Sequence, residues 1–161
     1  MNDTQRGLVI PLTFLIALVL TLLPMPGWTV WLRPAWILMV LIYWVMAAPY
    51  RVNVGTAWMI GIVLDVLNGT LLGEHALALT AVTYFVVRMH KQLRMYSILQ
   101  QALWVLGLGL FYQMILFCVQ GFIGALPNTK LYWASSLTSM MLWPWVFVIL
   151  RDYQRRFAVV S

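Results

Sequence analysis

Groups able to do chemistry are scarce in this sequence. Only 9% of the residues are charged, four are acidic, two are histidine and one is cysteine. The lone Cys118 has no intrachain partner and reads as a small hydrophobe inside an apolar run. Paired cysteines, an H-E-x-x-H motif, a glycine-rich phosphate loop and a cluster of acids are all missing, which removes zinc, nucleotide-binding and metal-assisted phosphate chemistry. Intramembrane aspartyl proteolysis requires two acids at depth, one protonated and one ionised, and only Asp65 qualifies. Serine proteolysis needs a serine activated by histidine; no G-x-S motif is present, and His75 and His90 fall at the ends of apolar runs. No segment outside the apolar runs is long enough to fold alone, so helices and short loops must carry the function.

What the chain does have is hydrophobicity. It is 63% apolar with a mean hydropathy of +0.89, more than one soluble core of this size needs. That composition predicts an all-α integral membrane protein: one domain, a bundle of six transmembrane helices at about residues 8–23, 30–48, 54–72, 74–87, 99–123 and 131–150. The net charge of +6 does not indicate nucleic acid, because the basic residues stand singly or in threes at the ends of apolar runs. They read as topology instead. With six spans, Arg6, Arg51, Arg88, Lys91, Arg94, Arg151, Arg155 and Arg156 share the cytoplasmic side with both termini, and only Arg33 and Lys130 face outward. The segment Arg88-Met89-His90-Lys91-Gln92-Leu93-Arg94 is expected to be a cytoplasmic loop. Pro24-Met25-Pro26-Gly27 offers no signal-peptide cleavage site, so the first span is read as retained. Trp28, Trp31 and Trp36, beside Arg33-Pro34, suit an aromatic belt at one surface; Tyr43, Trp44 and Tyr50, closed by Pro49, would mark the other.

The organising stretch runs from Pro49 to His75. On a helix, Ala57, Gly61, Asp65 and Gly69 fall four apart, placing small side chains and one carboxylate on a single stripe. A charge at membrane depth costs ~2.5–3.5 kcal/mol on insertion scales, so Asp65 must look inward and find a partner. It is either a hydrogen-bonded packing element or an assembly or ligand site. Spans three and four are short, and two arrangements are open: two crossings in locally thinned lipid, which is favoured, or a re-entrant pair meeting partway. With two crossings, Asn68-Gly69 ends helix three in a left-handed residue, Leu71-Leu72-Gly73 turns, and Glu74 suits the start of helix four. In span five, Gly109 and Gln113, then Gln120, can share a face that packs on a neighbour or, alternatively, lines a ligand site. Leu126-Pro127-Asn128 turns the chain. Ser135, Ser136, Thr138 and Ser139 give span six a small face, Pro144 predicts a kink, and the tail from Arg151 to Phe157 suits a membrane surface.

Arg33-Pro34-x-Trp36, Tyr43-Trp44, Pro49-x-Arg51-x-Asn53-Val54-Gly55, Gly61-x-x-x-Asp65 and Gly69-x-x-Leu72-Gly73, with Leu142-Trp143-Pro144-Trp145 and a short basic tail, resemble the bacterial rod-shape-determining MreD family. The likeness covers essentially the whole chain and is strongest from Arg33 to Ala76. It implies a non-enzymatic subunit of the inner-membrane elongation machinery, without cofactor or metal, that supports lateral peptidoglycan synthesis. The partners implied are MreC, MreB, RodA and the elongation penicillin-binding transpeptidase, within membrane lipid. Candidate partner-binding or bundle-packing residues are Arg33, Arg51, Gly55, Gly61, Asp65, Gly69, Gly73, Gln113, Ser135 and Ser139. The small faces of spans three and six are expected to dock the MreC helix, and Arg33 either snorkels or contacts a partner outside the membrane. By fold-level analogy the family is similar to the substrate-binding membrane subunits of energy-coupling-factor transporters, so a ligand-binding or transport subunit is the second reading. A polar pocket lined by Asp65, Glu74 or Gln113 would distinguish it from a packed scaffold.

Overall fold

The computed structural model describes residues 3–23, 35–47, 49, 51–69, 71–124 and 133–157. Among them six helices follow one another without a strand: α1 (Asp3–Leu22), α2 (Trp36–Ala47), α3 (Val54–Asn68), α4 (Glu74–Met95), α5 (Ile98–Phe122) and α6 (Ala134–Phe157). Arg33, Pro24, Pro26, Trp28, Trp31, Pro34, Tyr50, Lys130 and the turn at Leu126-Pro127-Asn128 lie outside the described residues.

The helix apolar on every side occupies the middle. All ten residues from Ile37 to Met46 are buried, and α2 touches α1, α4, α5 and α6. A helix without a polar face can be covered by lipid or by protein, and it is the packing of α1, α4, α5 and α6 around α2 that puts it inside. Tyr43 and Trp44, expected at a membrane surface, are core residues instead. Trp44 Nε1 donates to Thr13 Oγ1 of α1 at 2.9 Å, and the Tyr43 ring packs edge-on against Trp44 and Phe147. The indole and hydroxyl are amphipathic enough for either place, and a buried hydrogen-bond partner decided the matter for Trp44.

Local chemistry sets the helix ends. The Asn53 side chain accepts from the Gly55 N–H at 3.1 Å and starts α3; Gly69, at φ 66°, ends it as expected. Ser97 and Gln100 form a capping box that starts α5. One boundary moves. The basic segment from Arg88 to Arg94 is no loop: α4 continues through it to Met95, and only Tyr96 and Ser97 separate α4 from α5. No glycine or proline interrupts residues 74–95, so nothing stops the helix until the Ser97 cap. The last helix, α6, runs through Pro144 and on through the basic tail to Phe157.

Two helices, Ile98–Phe122 and the Ala134–Tyr153 part of α6, are long and apolar enough to cross a membrane. Leu8–Leu22, Trp36–Ala47 and Val54–Asn68 are apolar but shorter. The outer surface is apolar as well, with Leu15, Met59, Val66, Leu103, Met141 and Ile149 each at least half exposed. So much outward hydrocarbon on several helices suits lipid and not water.

Candidate functional site

The closest helix pair is α3 and α4, the hairpin that the organising stretch builds. Ala57, Gly61 and Asp65 are all buried on the α3 face. At Gly61 the two backbones nearly touch: a methyl there would lie 2.2 Å from Ala76 Cα and 2.6 Å from its nitrogen. Only glycine permits this approach, and it brings the next turn of α3, with Asp65, over the first turn of α4.

Asp65 is fully buried and finds its partners there. Its Oδ2 accepts from the Gly73 N–H at 2.8 Å and the Ala76 N–H at 3.5 Å. Its Oδ1 accepts from the His75 N–H at 2.9 Å and lies 2.7 Å from His75 Nδ1. These backbone donors belong to the start of a helix, where no intrahelical acceptor exists and the aligned dipoles favour negative charge. The carboxylate of one helix thus caps the next. Gly73, at φ 100°, turns the chain so that its N–H reaches Asp65.

The neighbouring polar groups are engaged too. Glu74 Oε1 accepts from Gln120 Nε2 of α5 at 2.9 Å. Further along α5, Gln113 Oε1 accepts from Ser136 Oγ of α6 at 2.5 Å, one turn from Gly109, where an added Cβ would be 3.1 Å from Ser136 Oγ. Gln113 and Gln120 therefore serve different neighbours, α6 and α4, and not one shared face. Ser139 Oγ accepts from the Ala35 N–H at 3.0 Å and donates to the Ser135 carbonyl at 2.9 Å, tying α6 to the start of α2.

Of the candidates chosen from sequence, Gly61, Asp65, Gly73, Gln113, Ser135 and Ser139 sit at these internal contacts. Gly69 leaves the stripe and serves as the exposed turn. Gly55 is exposed in the first turn of α3, and Arg51 is exposed at the end of an apolar groove of about 510 Å³ between α1 and α3. Sequence reasoning placed Gln120 and Ser136 on packing faces without naming their partners, and missed His75 and Ala76 as partners of Asp65. The signal for His75 and Ala76 was their place in the first turn after Gly73, where unpartnered N–H groups must find an acceptor.

Among the described residues no group of three His, Cys, Asp or Glu side chains could hold a metal. Five cavities among the described residues are lined by side chains other than Asp65, Glu74 and Gln113. The arrangement defines an all-helical membrane protein whose buried polar groups join helix to helix. The family model for the rod shape-determining protein MreD matches residues 1–153, and the chain belongs to that family. A curated relative, the rod shape-determining protein MreD of Haemophilus influenzae (strain ATCC 51907 / DSM 11121 / KW20 / Rd), is 35% identical over 146 residues, covering 89% of this chain and 88% of that one. No solved structure matches the chain.

Proposed function

We propose that this chain is a non-enzymatic scaffold or regulatory subunit of the cell-elongation (rod) complex. It crosses the bacterial inner membrane six times with both termini cytoplasmic, and supports lateral peptidoglycan synthesis by packing against MreC, and through it MreB, RodA and the elongation transpeptidase. Family membership supports the rod-shape role. The observation that carries the scaffold reading is that Asp65, Glu74 and Gln113 are each buried and bonded within the bundle. A helix bundle whose polar groups are so engaged offers its outer helix faces to partners.

Docking through the small faces of spans three and six needs revision, because α4 covers Gly61 and Asp65, and α5 and the start of α2 cover Ser136 and Ser139. A surface suited to an added apolar helix is the groove where Phe14 and Leu15 of α1 face Met59 and Val63 of α3. Filling it with Met59→Trp is expected to reduce co-purification of MreC severalfold while leaving the thermal midpoint of the bundle unchanged. Gly61→Leu, by contrast, should lower that midpoint. Undiminished MreC recovery with the folded Met59→Trp protein would refute docking in this groove. The likeness to energy-coupling-factor subunits remains an analogy of architecture, and no feature around Asp65 favours a bound solute.

A further inference from the structure

The Asp65 hairpin lies at one end of the bundle. At the other, where the C-termini of α2 and α4 meet the start of α5, a separate cavity of about 230 Å³ opens between Tyr43 of α2, Arg94 of α4, Gln101 of α5, and Phe147 and Arg151 of α6. Its cations outnumber the acids near it. Arg94 Nη2 donates to the Ala47 carbonyl at 3.2 Å, and Arg151 lies over the Phe147 ring with its Nε buried and unpartnered. Among the described residues neither guanidinium pairs with a carboxylate. The charges acting on the Tyr43 hydroxyl are Arg151, Arg155, Arg94 and Asp152, three cations against one exposed acid.

One wall carries an unmet acceptor. Gln101 is only 4% exposed; its Nε2 donates to the Leu93 carbonyl at 2.9 Å, and its Oε1 is buried without a partner. A buried carbonyl oxygen without a donor is costly, as is a buried guanidinium N–H without an acceptor. Both deficits are met by one ligand: an oxyanion for the arginines with a neighbouring hydroxyl for Gln101. The apolar span of α5 begins at Ile98 and that of α6 ends at Tyr153, so Gln101 and Arg151 stand close to the level where apolar helix gives way to headgroups.

We propose that this cavity binds the headgroup of an anionic phospholipid, its phosphodiester oxygens on Arg94 and Arg151 and a headgroup hydroxyl donating to Gln101 Oε1. Phosphatidylglycerol has both features. Phosphatidylcholine has a phosphate but a cation with no donor, which the two arginines repel.

The test uses the full chain in detergent, titrated with phosphatidylglycerol or phosphatidylcholine and read by native mass spectrometry. Phosphatidylglycerol is expected to bind preferentially, and Arg94→Gln with Arg151→Gln to weaken it roughly tenfold or more. Arg88→Gln with Arg156→Gln, which removes the same charge outside the cavity, should change affinity less than about twofold. The Arg94→Lys, Arg151→Lys pair keeps the charge but not the planar fork, and should fall between. Equal loss from the two glutamine pairs, or no preference for phosphatidylglycerol, overturns the proposal. Free glycerol 3-phosphate distinguishes the sources: failure to compete supports a lipid, and binding as tight as phosphatidylglycerol overturns the lipid assignment.

Discussion

Asp65 concentrates the residue-scale logic. A carboxylate within an apolar helix had to face inward and find donors, and that much follows from solvation alone. Which donors it found did not, since Gly73, His75 and Ala76 become neighbours only once the chain has turned. Asp65→Ala leaves the Gly73 and His75 N–H groups without their acceptor and is expected to destabilise the bundle by about 2 kcal/mol or more. Asp65→Asn keeps one acceptor oxygen and should cost less. Denaturant titration of the folded bundle in micelles, monitored by tryptophan fluorescence, checks the order; a stable Asp65→Ala protein would remove the capping role.

Among elements, turn chemistry was more readable than length. Asn68-Gly69 signalled the end of α3, and the positive φ at Gly69 agrees. The expected loop from Arg88 to Arg94 is helix because basic residues belong comfortably in a final turn and backbone hydrogen bonding continues beneath them. Helix pairing was less legible still. Gln113 and Ser136, 23 positions apart, join α5 to α6 by one short hydrogen bond. A double-mutant cycle with Gln113→Leu and Ser136→Ala is expected to give a coupling of about 0.6–2 kcal/mol. Additive effects would mean that the bond contributes nothing to the α5–α6 contact.

At the scale of the molecule, the basic ends gather. Arg94 bonds to Ala47, and Arg151 shares a cavity with Arg94 and Gln101, so the cationic ends of α4 and α6 lie together. This is the arrangement that an even number of crossings and a positive-inside bias would produce. In a Cys118→Ser background, Thr4→Cys and Arg156→Cys are expected to be shielded from an impermeant maleimide in intact spheroplasts, and Leu71→Cys, between α3 and α4, to react. Labelling of only one terminus would refute the six-span proposal; an unreactive Leu71→Cys would favour the re-entrant hairpin.

Composition and spacing alone determined that the protein is helical and apolar outside, that Asp65 is a buried polar contact, and that glycines turn the chain after α3. These depend on local periodicity and on the cost of placing charge in hydrocarbon. Only the tertiary structure decided that α2 sits at the centre, that Asp65 caps α4, and that Arg94, Gln101 and Arg151 converge on one cavity. Each joins residues from different helices, and a repeat of 3.6 residues says which face is apolar without saying which neighbour will cover it.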